Sequence, residues 1–399
     1  MPGPLEGVRV LEVANWTFVP AAGAVLADLG ADVIKVEAPT GDPQRALTNL
    51  LNMGDSAANP FLEVPNRGKR SFTADLTTDE GRKVLDRLIA QSDVFLTSNL
   101  APIRKKLRIE VEDVRAANPS IIYVRGTGWG TNGPMADVGG YDAACGWATS
   151  GMAYKMTIDG GPLTQPAAFF DLQGANTIAG AVGMALFKRE RTGETSVIDV
   201  SLMNVGMWAV GPDIMGSPLS GSHGQGNRME SPNPIVNTYQ TQDDRWFYLV
   251  CLQADRFWGE FCTCIGHPEL IDDERFADGT TRYANRVECV TRLDEIFGDM
   301  TLEQVHEKLD HFSGVWAPVL KPSELADHPQ TDPNGFMPTL TTAGGVDFRL
   351  VASPMRFDDV PTVPRSAAPE LGQHTEDILL ETGLDWDEIG RLREVGALG

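Results

Sequence analysis

The first third of the chain alternates short apolar runs with helix-patterned segments, and that rhythm leaves few folds open. VRVLEV at residues 8–13 precedes AAGAVLADLG, which ends at Gly30, and ADVIKVEAP follows. Strand, helix and strand in that order form a βαβ unit. SFTADL, the helical TTDEGRKVLDRLIAQ and DVFLTS at residues 93–98 repeat it, with Thr77 and Glu80 spaced as a capping box. SIIYVRG at residues 120–126 supplies a further strand. Short strands joined by helices pack most economically as a parallel, doubly wound sheet, so the fold class is α/β.

The pattern changes near Ile235. VNTYQT and RWFYLVCL flank Gln242, Asp243 and Asp244, which predicts an antiparallel hairpin, and helical stretches continue to His328. This reads as a smaller α+β domain. GSPLSGSHGQG at residues 216–226 is the expected linker into it, and PQTDPN at residues 329–334 the way out. FMPTL, VDFRLV and a helical tail are then expected to rejoin the first sheet. The domain division is 1–225 for the first part of a Rossmann-like large domain, 226–330 for the small domain and 331–399 for the return.

Charge narrows the partners. The chain carries 33 Lys and Arg against 55 Asp and Glu, a formal charge of -22, which repels nucleic acid and anionic membrane. The N-terminus has no basic segment leading into an apolar run, and the small-apolar stretch at residues 178–187 is too short to span a bilayer. Cys145, Cys251, Cys262, Cys264 and Cys289 form an odd, scattered set without a second Cys pair at metal-ligand spacing. They read as reduced thiols, and the expected location is cytoplasmic.

Several segments could carry chemistry. Gly128, Gly130 and Gly133 spell a dinucleotide fingerprint after a strand, but Pro134 and polar residues follow where an amphipathic helix is needed, so the segment reads as a glycine-rich turn. Two basic clusters, residues 66–70 and 104–108, flank elements of the α/β half and could meet a polyanionic small molecule; singly, each also fits a solvated face balancing nearby acids. Asp171 follows PAAFF and opens a helix in which Ala175, Ala179 and Gly183 recur every fourth residue, so close packing should hold its N-terminus rigidly. The helix dipole would keep that carboxylate ionised and ready as a nucleophile, although the same position suits a plain N-cap. His223, His267, His306, His311, His328 and His374 make neither a zinc pair nor a triad with a GxSxG elbow, and no metal site is expected. RFWGEF at residues 256–261 reads as small-domain core.

Taken together, LEGVRVLEV, LGADVIKVEAPTGDPQR, NRGKRSFTADL, SNLAP, IIYVRGTGWGTNGP, GGYD, the region of Asp171, ALFKRERTG, VIDVSLM, PNPIVNTYQT, GVWAPV and GQHTEDIL resemble the class III (CaiB/BaiF-type) coenzyme A transferases, a superfamily that also holds α-methylacyl-CoA racemases. The resemblance implies one Rossmann-like domain built from both ends of the chain, a small middle domain, and two subunits interlocked as a homodimer. It implies Asp171 as the catalytic nucleophile, attacking an acyl-CoA to give an aspartyl mixed anhydride and then an aspartyl-CoA thioester from which a carboxylic acid takes the CoA. No permanently bound cofactor is implied; coenzyme A and acyl-CoA are substrates. By family position Lys69, Arg70, Asn99, Arg104 and Lys106 would meet the nucleotide end of CoA, with Arg104 and Lys106 interchangeable. Tyr141 would lie near the thioester, and Thr17 in the loop after the first strand.

Three departures from the family pattern bear on substrate and reaction. Thr17 stands where formyl-CoA transferases carry a Gln, and MESPNPIVNTYQT stands where they carry a run of glycines, which argues against formyl-CoA or oxalate. Tyr141 stands where the racemases place a His, and a tyrosine, ionising only near pH ~10, is a poor proton acceptor at neutral pH. The leading expectation is therefore an acyl-CoA:carboxylate CoA-transferase. The alternatives are an acyl-CoA racemase or epimerase, and a non-catalytic acyl-CoA-binding protein.

Overall fold

The computed structural model describes residues 3–47, 58–158, 161–220 and 227–399. It divides into two compact units: one of residues 1–154, 164–221 and 326–399, the other of residues 155–163 and 222–325. The segment 155–163 goes with the smaller unit, which sequence reasoning leaves in the larger.

In the large unit β1 (Arg9–Val13), β2 (Asp32–Glu37), β3 (Arg70–Thr73), β4 (Val94–Thr97) and β5 (Ile122–Thr127) join the edge strand Val197–Ser201 in a six-stranded sheet ordered β3-β2-β1-β4-β5-edge. Every pairing is parallel. Side chains alternate between faces, as the two-residue strand period requires. Val10, Val33, Val94, Leu96, Ile122 and Val124 pack on one side with α1 (Phe18–Asp28) and the long helix Phe169–Thr192. Leu11, Ile34, Phe95 and Tyr123 pack on the other with the helix Asp79–Ala90 and the C-terminal helices Thr375–Glu381 and Trp386–Glu394.

All of α1 is buried, because it lies between the sheet and the long helix. Two glycines allow it. A Cβ on Gly23 would lie 2.1 Å from Glu12 Oε2, so only glycine lets α1 pass over the charged group beneath it. A Cβ on Gly174 would lie 2.4 Å from the Phe18 ring. Ala175 and Ala179 are buried in this contact as their spacing predicts, whereas Gly183 faces open space.

Details of the sequence reading change at element ends. The cap of Asp79–Ala90 is Thr78, whose Oγ1 accepts from Gly81 N at 3.0 Å; Thr77 turns back to Asp75 instead. The expected linker is helical at its start, since residues 216–220 complete the helix Gly211–Ser220, and residues 221–226 lie outside the described ones. Among the described residues Thr339–Thr341 and Asp347–Arg349 pair only with each other, so the returning chain adds a separate two-stranded ribbon and not a strand of the main sheet.

In the small unit the hairpin Val236–Gln240 and Trp246–Val250 forms as predicted, and Trp316–Pro318 extends it to three antiparallel strands. Tyr239, Phe247, Trp258, Phe261, Phe297 and Phe312 fill its core. Cys251, Cys262 and Cys289 are buried free thiols there, and burial pushes their ionisation upward. No helix among the described residues is long and apolar enough to cross a membrane.

Candidate active site

Parallel strands bring their carboxyl ends to one edge of the sheet, where ligands of α/β proteins characteristically bind. At that edge the loops after β1, β4 and β5 enclose a cavity of about 510 Å³. Trp16 and Thr17, Ser98 and Asn99, and the glycines 126, 128, 139 and 140 line it, together with Tyr141 and Asp171. Among the described residues Asp171 is the only ionisable acid or base in this lining apart from the Tyr141 phenol.

Asp171 is the third residue of the helix Phe169–Thr192; the N-cap is Ala168, in the left-handed region at φ 57°. The plain N-cap reading is thereby overturned, and the carboxylate accepts no hydrogen bond among the described residues. Nor is it simply held ionised by the helix dipole. Burial first, and then the negative charge of Asp142, push its carboxyl up to about 7. Asp142 is buried, and its Oδ2 has no partner among the described residues. Cys145 shares this environment; burial and both carboxylates push its thiol up to about 11, so it stays protonated at neutral pH.

The loop carrying Trp16 is set by buried ion pairs. Lys35 Nζ lies 3.1 Å from Glu12 Oε1 and 3.0 Å from Asp42 Oδ2, and donates to the Ala14 carbonyl at 2.9 Å. Asp42 Oδ1 in turn accepts from the backbone N–H of Trp16 at 3.3 Å. This anchors Trp16 at φ 67°, a conformation that non-glycine residues rarely adopt. So held, the Trp16 ring meets Tyr141 edge-on, with centroids 5.6 Å apart.

Of the residues assigned by resemblance, Thr17, Asn99, Tyr141 and Asp171 share the cavity. The basic ones do not line it. Lys69 is wholly buried, 2.7 Å from Glu12 Oε2 and donating to the Pro20 carbonyl at 2.8 Å, so its charge is spent inside the fold. Arg70 sits at the other end of the sheet, bonded to Asp32 at the start of β2 and to Glu381. Arg104 is buried against Glu110 and donates to the Asn99 carbonyl at 2.8 Å, which fixes the loop carrying Asn99. Lys106 is exposed at the end of the helix Ala101–Leu107, whose Ile103 lines the cavity. Sequence reasoning missed Trp16, Gln44 and Asp142. Asp142 had a signal in its adjacency to Tyr141, while Gln44 reaches the site only through the fold.

No group of three or more metal-ligating side chains occurs among the described residues. An open cavity at the carboxyl edge of a parallel sheet, facing one carboxylate with a raised pKa, defines an enzyme-like site for a small molecule. The chain matches the model of CoA-transferase family III over residues 5–375, and it belongs to that family. A (R)-2-hydroxy-4-methylpentanoate CoA-transferase of Clostridioides difficile is 27% identical over 98% of this chain and 98% of its own length. A succinate–glutarate CoA-transferase of Agrobacterium fabrum is 31% identical over 95% of each. The crystal structure of a CAIB/BAIF family protein from Brucella suis has a TM-score of 0.82 at 30% identity, covering 96% of this chain and 100% of that one. Members of a CoA-transferase family use CoA thioesters as substrates.

Proposed function

We propose that this protein moves coenzyme A from an acyl-CoA to a carboxylic acid, with Asp171 as the covalent nucleophile. The observation that carries the reading is that, among the described residues, Asp171 is the one carboxylate lining the cavity and has no hydrogen-bond partner. A carboxylate whose pKa is raised is a better nucleophile once ionised, and at pH 7 a substantial fraction is ionised.

In this reading an Asp171 oxygen bonds to the thioester carbon and the C–S bond breaks, giving an aspartyl mixed anhydride and CoA thiolate. The thiolate attacks the aspartyl carbonyl, releasing the donor acid and leaving aspartyl-CoA. The acceptor carboxylate reverses the two steps and leaves as the new CoA thioester. Each transfer exchanges one nucleophile for one leaving group, so the site's task is to hold them in line and away from water. In this reading Lys105 and Lys106, exposed on the helix whose Ile103 lines the cavity, meet the CoA phosphates.

Assembly as a homodimer is part of the same proposal. Met184, Phe187, Trp208, Met215 and Leu219 project largely exposed from three successive helices, and large apolar side chains left in water on neighbouring helices suit burial against a second copy.

The test is incubation with acetyl-CoA, succinyl-CoA and cinnamoyl-CoA followed by hydroxylamine, which converts an activated aspartyl group to a stable hydroxamate. Peptide mass spectrometry should find the hydroxamate on Asp171, and Asp171→Asn should lose both label and transfer while still binding CoA. Near-normal transfer by Asp171→Asn would overturn the assignment. Deuterium exchange at the α-carbon without any label would favour an isomerase.

A further inference from the structure

Thr17 occupies the N-cap position of α1, yet its hydroxyl makes no capping bond. N-cap threonines ordinarily accept from an amide of the first helical turn. Here Oγ1 accepts instead from Gln44 Nε2 at 2.7 Å, and no described residue takes the hydroxyl proton. A hydroxyl has one proton to give, and Thr17 lines the cavity that Asp171 also lines.

Gln44 is built rigidly behind that wall. It is 1% exposed, its N–H donates to Asp42 Oδ1 at 3.0 Å, and its carbonyl accepts from Asn59 Nδ2 at 3.0 Å. Asp42 is the residue that also anchors Trp16 and pairs with Lys35. Gln44 Oε1 is buried and has no partner among the described residues. Among the described residues the one side-chain amide contact of Gln44 is this bond, its N–H₂ end donating to the Thr17 hydroxyl.

We propose that Thr17 donates a hydrogen bond to the carbonyl oxygen of the CoA thioester as Asp171 adds to it, and that Gln44 is a positioning residue that aims this donor by occupying the acceptor side of the Thr17 hydroxyl. The inference rests on Asp171 as nucleophile. As the Asp171 oxygen bonds to the acyl carbon, the carbonyl π pair moves onto oxygen; collapse restores it and expels CoA thiolate with the C–S pair. Thr17 keeps its proton throughout. Its hydrogen bond strengthens only as the oxygen gains charge, which stabilises the transition state more than the bound substrate.

Acylation of Asp171 by succinyl-CoA, acetyl-CoA or cinnamoyl-CoA, followed as hydroxamate formation in single turnovers, tests this. Thr17→Val should slow acylation about 100-fold, as loss of one oxyanion donor does, with little change in KM. Thr17→Ser should restore most of the rate. Gln44→Glu, which can only accept and so captures the Thr17 proton, should slow acylation comparably, and the double variant should be no slower than Thr17→Val alone. If Gln44→Glu does not fold, Gln44→Met replaces it, with a roughly tenfold loss that disappears when Thr17 is already Val. Wild-type acylation rates in Thr17→Val, or losses that simply multiply in the double variant, would overturn the proposal while leaving the nucleophile in place. Failure of the wild-type protein to form the Asp171 hydroxamate would instead remove the reading beneath it.

Discussion

Lys69 Nζ lies 2.7 Å from Glu12 Oε2, with both side chains fully shielded from solvent. Burial lowers the lysine's pKa, and Glu12 opposes that shift. A lysine so placed holds the fold together and is not available to a ligand. Lys69→Met leaves Glu12 with Lys35 alone, and breaking one side of a buried pair should cost about 3 kcal/mol in urea unfolding. Calorimetry on the folded variant should find CoA affinity close to normal. Normal stability with lost CoA binding would return Lys69 to the ligand site.

The raised carboxyl of Asp171 sets a pH dependence. Only the ionised form attacks, so the rate of Asp171 acylation should climb about tenfold per pH unit below 7 and level off above it. The pH profile of single-turnover hydroxamate formation checks this. A limb near pH 4 would mean that Asp171 is fully ionised at neutrality and that burial does not control it.

Asp142 contributes to that shift through its charge, second to burial. Asp142→Asn should therefore move the acid limb of the profile below pH 7, while burial still holds it above the ordinary value of 3.8. The less basic carboxylate should also give a slower plateau at high pH. An unmoved limb would show that Asp142 does not act on Asp171 through charge.

What the sequence made legible follows from what local patterns encode. The strand and helix rhythm, the hairpin around Asp243 and the aromatic core near Trp258 all arise from periodicity and turn chemistry within a few residues, and they stand in the structure. Asp171 could be picked out at a helix start, but its raised pKa depends on burial and on Asp142, 29 positions away. Basic residues misled for the same reason. Lys69 and Arg70 look alike in a row of letters, but strand pleating sends one inward to Glu12 and the other to Asp32 and Glu381. The Gln44 contact with Thr17 spans 27 positions and has no local signature at all.

The exposed apolar faces lead to the last expectation. Trp208 and Leu219 are each 88% exposed, on the helices Leu202–Ala209 and Gly211–Ser220. Fully burying side chains of this size against a second copy contributes roughly 1.5–3 kcal/mol each, and a two-fold interface counts each contact twice. The double variant Trp208→Glu, Leu219→Glu should place four unpaired charges in such an interface and shift sedimentation from dimer to monomer at micromolar concentration. Its far-UV circular dichroism should be unchanged, because neither side chain belongs to a core cluster. A wild-type protein that sediments as a monomer, or a double variant that remains a dimer, would show that this face serves something other than self-association.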